Sequence, residues 1–194
     1  MDWMEEEFYS IEHDGPFQEC SRCSASLIEG QPYQINKAWR AGECIFEYAF
    51  CAVCRDALLA EFSEESKGNL LNHQEQHMRD GSKGTEECAF CGSGRPGIAN
   101  QDFTTTALCE RNEVLDSLLI CFTCQAGMHE LLSQQTKDVR RRFFEEVPGV
   151  PPDWEVWKPD ESEIHQVTAP MNQPIPLRPT VPVGALAILG VPQG

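Results

Sequence analysis

Cys20-Ser21-Arg22-Cys23, Cys51-Ala52-Val53-Cys54, Cys88-Ala89-Phe90-Cys91 and Cys121-Phe122-Thr123-Cys124 are four Cys-x-x-Cys pairs, and they take up eight of the ten cysteines in this chain of 194 residues. The two-residue gap lets both sulfurs of a pair turn toward one ion while nearby backbone N–H groups hydrogen-bond the thiolates. Such a knuckle suits tetrahedral Zn²⁺. Two pairs complete one four-thiolate site, so the chain carries ligands for two ions. The first two pairs are separated by 27 residues and the last two by 29. The offset is 68 residues between the leading pairs and 70 between the trailing ones. A shift of 70 also lays Ser63 on Ser133, Ser66 on Thr136 and Phe62 on Leu132, which marks a duplicated unit.

Other thiol chemistries fit the spacing less well. A redox dithiol wants a Cys-x-x-Cys at a helix start inside a βαβ pattern; the second pair of each unit opens a helix, but no βαβ pattern surrounds it. Iron–sulfur ligation is open to four cysteines, yet pairs split by a hairpin-length insert fit zinc better.

The charge narrows the choice of partners. With 15 basic against 31 acidic residues the formal charge is −16, which opposes polyphosphate binding through any broad basic face. No run of about 18 apolar residues appears, and Met1-Asp2-Trp3-Met4-Glu5-Glu6-Glu7 lacks the basic and apolar regions of a secretory signal. A soluble cytoplasmic protein is therefore expected. In a reducing compartment its cysteines point to metal rather than to disulfides.

Between the first unit's pairs, residues 32–39 and 44–50 read as two strands joined by a turn at Arg40-Ala41-Gly42-Glu43. Strict alternation on the second strand puts Cys44 on one face with Phe46, Tyr48 and Phe50, a core thiol beside aromatics. A helix follows from Ala52, with Leu58, Leu59 and Phe62 as its apolar stripe, and Ser63 caps another running from Glu64 to about His77. The Gly-rich stretch at 80–84 separates the repeats. The second unit repeats the order: a knuckle, strands near Phe103–Cys109 and Leu115–Ile120 with a less regular hairpin, a helix from Cys121, and a last helix capped by Ser133 or Thr136 and reaching about Glu146.

A knuckle, a hairpin and a second Cys pair on the first turn of a helix is the order of treble-clef zinc fingers, and each repeat resembles that family. The resemblance implies a small α+β, zinc-binding fold with two tandem units at residues 17–80 and 86–146. It assigns Cys20, Cys23, Cys51 and Cys54 to one structural Zn²⁺ and Cys88, Cys91, Cys121 and Cys124 to another. A cross-braced set, with ligands shared between repeats, is the alternative. The family hosts ribosomal proteins, transcription factors, ubiquitin-system adaptors and nucleases, so the fold alone implies no activity. Treble-clef nucleases want histidine near the hairpin, and neither predicted hairpin has one.

Outside the repeats lie an acidic segment, residues 1–16, and a tail, residues 147–194, which holds ten of the thirteen prolines and reads as extended. The end of the tail is uncharged and apolar, so Val181, Val183, Leu186, Ile188 and Leu189 are its candidate partner contacts. Val183-Gly184-Ala185-Leu186 resembles the cargo-loading peptides of encapsulin shells, with Ala185 where serine is often found. That resemblance implies a cargo or shell-associated protein.

Three side-chain groups carry the remaining chemistry. Arg140, Arg141 and Arg142, with Lys137, are the one concentrated basic group; they are expected to pair with the acidic N-terminus or a partner, or, in an alternative reading, to let a zinc-finger regulator contact nucleic acid. His73 and His77 share one side of a helix and read as a solvated face ahead of a further metal site. His129 reads as packed or surface, and Cys109 as a structural strand-end thiol. Four thiolates close each site, so hydrolysis at the metal, a small-molecule substrate and an enzyme are not expected. The sequence favours a non-enzymatic adaptor or structural subunit that binds a protein assembly through its tail.

Overall fold

In a computed structural model the chain is described over residues 6–28, 30–79, 84–98 and 101–147. The tail from residue 148 onward, with its five candidate contacts and the encapsulin-like peptide, lies outside the described residues. The fold is small α+β, built on one mixed five-stranded sheet with strand order β2-β1-β4-β5-β3. The strands are β1 (Tyr33–Arg40), β2 (Glu43–Cys51), β3 (Gly84–Cys88), β4 (Phe103–Glu110) and β5 (Glu113–Cys121). All neighbours are antiparallel except β3, which runs parallel to β5. The helices are α1 (Ala52–Ala60), α2 (Glu64–His77), the single turn α3 (Arg95–Ile98), α4 (Phe122–Glu130) and α5 (Gln134–Glu146).

The two hairpins are built alike. Each turns on two residues with positive φ, Ala41 and Gly42 in the first and Arg111 and Asn112 in the second, the backbone that matches strand twist in a two-residue turn. Each has one register shift, at Ala38/Trp39 and at Leu108/Cys109, positions 70 apart. The second hairpin is therefore as regular as the first, contrary to the expectation from its sequence. The shift also corrects the placement of Cys44. Strict alternation puts Cys44 with Phe46, but the bulge pairs Cys44 with Trp39 and Phe46 with Ala38, on opposite faces. Cys44 sits instead near Lys37, Glu47 and Glu7, its thiol pushed up by burial.

The repeats join through β1 and β4, whose register pairs Asn36 with Thr106. Those two residues are 70 apart, so the pair maps onto itself under the duplication and marks a pseudo-twofold axis. Thr106 Oγ1 donates to Asn36 Oδ1 at 2.9 Å there. A second mark of the same axis is the contact between helix caps. Ser63 caps α2 and Ser133 caps α5, and their hydroxyl oxygens lie 2.8 Å apart. Ser66 and Thr136, both fully buried, complete a four-hydroxyl cluster in which Ser66 Oγ accepts from Ser133 N and Thr136 Oγ1 accepts from Ser63 N. Four of the residues that superpose on the 70-residue shift thus share one hydrogen-bonded cluster.

The second helices are exchanged across this axis. α5, from the second repeat, places Phe143 against Tyr48 and Phe50 of the first, with ring centroids 5.8 and 4.8 Å apart, and Phe144 against Phe46. Phe143 and Val147 belong to the apolar core formed by Phe17, Cys20, Tyr33, Phe46 and Phe50. Reciprocally, Leu70 of α2 lies in the core of the second repeat with Cys88, Phe90, Leu118 and Ile120. Each repeat's core is closed by the other's helix. Neither stretch, 17–80 or 86–146, buries its apolar surface within its own residues.

The opposite face of the sheet carries the N-terminal segment. Phe8 is completely buried, Lys37 Nζ donates to Tyr9 O, and Ser10 Oγ donates to Glu47 Oε1 at 3.0 Å. Lys37, only 2% exposed, pairs with Glu47 at 2.9 Å, so its charge is neutralised inside. Glu7 accepts from Arg95 Nη1 at 3.0 Å and from Thr85 Oγ1 at 2.8 Å. Among the described residues of the acidic segment, Glu7 therefore pairs with Arg95, not with an α5 arginine. Arg141 pairs with Asp138 and Arg142 with Glu61, while Arg140 sits beside Tyr48.

Candidate metal centres

Each repeat gathers four of its five cysteines into one group. Cys20, Cys23, Cys51 and Cys54 form the first and Cys88, Cys91, Cys121 and Cys124 the second, and within each the Sγ atoms all lie within 4.8 Å of one another. Both groups draw on a single repeat, so the ligands are not cross-braced; it is the helices that cross. Cys23 Sγ and Cys51 Sγ are 3.8 Å apart, and Cys91 Sγ and Cys121 Sγ 3.6 Å. Two sulfurs bound at about 2.3 Å to a tetrahedral ion stand about 3.8 Å apart, so the spacing fits.

The knuckles impose that spacing through their backbone. Ser24 N donates to Cys20 O and Gly92 N to Cys88 O, each at 2.9 Å, while the chain crosses itself at Glu19–Ser26 and Glu87–Gly94. The turn needs a positive φ just after the second cysteine, taken by Ser24 in one repeat and Gly92 in the other. At Gly92 a Cβ would also collide with the Arg79 guanidinium, which pairs with Glu87 at 2.7 Å. The trailing pairs are placed by the strand-to-helix junction. Cys51 and Cys121 end β2 and β5 and are the N-caps of α1 and α4, so Cys54 and Cys124 fall on the first helical turn. Cys51 Sγ accepts from Cys54 N at 3.4 Å, and Cys88 Sγ accepts from Cys121 N at 3.5 Å.

Crowding four sulfurs makes their titration unequal. The Cys121 and Cys124 thiols hydrogen-bond Cys88 and hold it far below the ordinary thiol range. Cys124 is pushed up by the same contacts with Cys121 and Cys88, and by burial. In the first group burial raises Cys20, but backbone donors at Cys51, Arg22 and Cys23 outweigh it and bring the thiol to about 7. Cys54 is raised by burial and by its sulfur neighbours. Each group therefore holds one lowered thiol, Cys20 or Cys88, beside a raised one, Cys54 or Cys124, whose proton a divalent cation would displace. Two metal-binding groups of soft sulfur ligands are present, and either Zn²⁺ or iron suits such ligands.

The remaining candidates separate cleanly. Cys109 is completely buried beneath the sheet, its thiol pushed up to about 12 by burial alone, as a structural thiol should be. His73 and His77 share one side of α2, but they are half-buried and not a solvated face. The His73 ring stacks on Phe90 with centroids 5.5 Å apart and lies 4.6 Å from that of His77. The reason is the exchange: α2 rides over the other repeat's knuckle, a contact that no reading of one repeat anticipates. Among the described residues no helix is long and apolar enough to cross a membrane.

His129 stands 70 residues after Leu59, a buried apolar side chain. Burial, with Arg140 and Lys137 nearby, lowers its pKa to about 4. The folded state thus binds its proton less well than the unfolded state, whose imidazole titrates near 6.5, so His129 costs stability as pH falls through that window. His129→Leu should leave stability little changed by titration at pH 8 and raise it relative to wild type by about 1 kcal/mol at pH 5, after discounting for partial exposure. Urea midpoints of the metal-loaded proteins at both pH values check the difference, and equal offsets at the two would contradict it.

No family model, curated protein or solved structure matches the chain.

Proposed function

We propose that the protein is a non-enzymatic, zinc-stabilised adaptor or structural subunit, whose two treble-clef repeats form one rigid body that attaches to a larger protein assembly through residues 148–194. The observation that carries the reading is that each metal group offers four sulfurs to one ion. A catalytic zinc keeps a position for water or substrate, whereas four protein thiolates close the sphere and leave the metal a structural task. The order of knuckle, hairpin and Cys-bearing helix in both repeats supports the treble-clef reading. Ion pairs at Arg141 and Arg142 weigh against nucleic-acid contact through that helix.

The tail supplies attachment because an extended, proline-rich segment covers much partner surface for few residues. Val147, read from the sequence as the first residue of the tail, is instead buried in the core of the first repeat, so a tail from residue 148 bound to a partner would be tied directly to the folded body. Deleting residues 165–194 is expected to abolish co-purification of the assembly from the native host, while metal content stays at two ions per chain. Unchanged co-purification would overturn the role of the tail. Salt-sensitive binding to DNA or RNA that is lost on replacing Arg140, Arg141 and Arg142 would favour the regulator instead.

A further inference from the structure

α2 and α5 are equivalent helices that do the same packing work with different chemistry. On α5, Phe143 and Val147 face the first repeat and are buried in its core. The 70-residue shift places His73 and His77 at those two positions on α2, facing the knuckle of the second repeat. Apolar side chains suffice for packing there, as α5 demonstrates. Two imidazoles in their place bring in donor atoms that packing does not require.

We propose that His73 and His77 form a third metal site, distinct from both cysteine groups, that takes a borderline divalent transition ion such as Zn²⁺ or Ni²⁺. The imidazoles stand four apart on one helix, on the same side of successive turns. Their ring centroids are 4.6 Å apart and their planes are inclined by 50°. With metal–nitrogen bonds of about 2.0–2.1 Å and each ring centre about 1.1 Å behind its nitrogen, two imidazoles on one ion have centres about 4.5 Å apart at a right-angled octahedral position and about 5.2 Å apart at a tetrahedral one. The pair's 4.6 Å matches the octahedral spacing that suits Ni²⁺, and a tetrahedral Zn²⁺ would need the rings to part by about half an ångström. Stacking on Phe90 fixes the His73 ring, and the burial of Leu70 and Gln74 on the adjoining side of α2 fixes the helix that carries both.

Imidazole is the ligand class that borderline ions such as zinc and nickel share, whereas magnesium and calcium prefer oxygen. Two protein ligands leave the remaining positions to water or an exchangeable donor. This site is therefore open where the cysteine groups are closed, and its ion exchanges with the surroundings while theirs holds the fold. The third ion belongs to the surface of α2 and is not part of the scaffold on which the adaptor reading rests.

The test uses the full chain with both cysteine groups loaded and their two ions per chain measured first. Equilibrium dialysis against Zn²⁺ is expected to reveal one further ion per chain, and Ni²⁺ should broaden the imidazole NMR signals of His73 and His77 ahead of those of His13, His129 and His165. His73→Phe keeps the stack on Phe90 and reproduces the residue that α5 uses, and His77→Gln removes the other donor. Each should lower the affinity for the third ion at least about tenfold, with the two tightly held ions and the melting temperature unchanged. Absence of a third ion at millimolar free Zn²⁺, or a third ion bound equally well by both variants, would overturn the site.

Discussion

Stripping the metals from the folded chain is expected to unfold both repeats together, with loss of dispersed amide NMR signals and of most helical circular dichroism. Apparent binding free energies for structural zinc at neutral pH are about 10–16 kcal/mol per ion, while a domain of this size is stable by about 5–15 kcal/mol in all. Two such ions therefore contribute more than the whole net margin of stability of a typical domain of this size. The geometry explains why the apoprotein has little in reserve. Removing an ion leaves four sulfurs within 4.8 Å around one depressed thiol, and the knuckle loses the centre that fixes its turn. Because each core contains the other repeat's helix, the loss spreads across the pseudo-twofold axis. Cys121→Ser should lower metal content from two ions to one and destabilise the whole chain, whereas Cys109→Ser should leave the content at two. An apoprotein that keeps its dispersed spectrum after chelation would show that the metals are accessories to an already stable fold.

The two cysteine groupings were legible because Cys-x-x-Cys spacing is a local constraint: the knuckle geometry needs two intervening residues whatever surrounds it. Helix starts were legible for the same reason, since the Ser63 and Ser133 caps act on an N–H three residues away. Contacts that depend on the axis between repeats left no such local mark. Alternation placed Cys44 on the aromatic face, and one bulge moved it to the other. Three consecutive arginines read as a basic patch, yet Asp138 and Glu61 pair with two of them, the second across a helix–helix contact. One signal in the sequence did point to the axis. The residues preserved at a spacing of 70 included Ser63, Ser66, Ser133 and Thr136, polar positions with no role in metal binding. Small hydroxyls repeated where two equivalent elements could meet are what a self-complementary contact requires.

Truncating Phe143 should release the metal of the other repeat. Phe143 is 4% exposed and packs edge-on against Phe50, one residue before the ligand Cys51. Phe143→Ala removes a buried aromatic at a cost of about 3–5 kcal/mol, and the cavity opens beside the first cysteine group. The ion held by Cys20, Cys23, Cys51 and Cys54 should then leave faster, while the ion of Cys88, Cys91, Cys121 and Cys124, in whose repeat Phe143 lies, should be nearly unaffected at early times. Leu70→Ala should do the converse, costing about 2–5 kcal/mol and loosening the second group from within the first repeat. Cadmium-substituted protein separates the two sites by their ¹¹³Cd resonances, so each release can be followed during chelator challenge. Helices folded back on their own repeats would give the opposite assignment. The two variants therefore distinguish exchange from simple tandem packing through which ion moves, a readout that global destabilisation alone cannot reproduce, since unfolding the whole chain would release both ions at one rate.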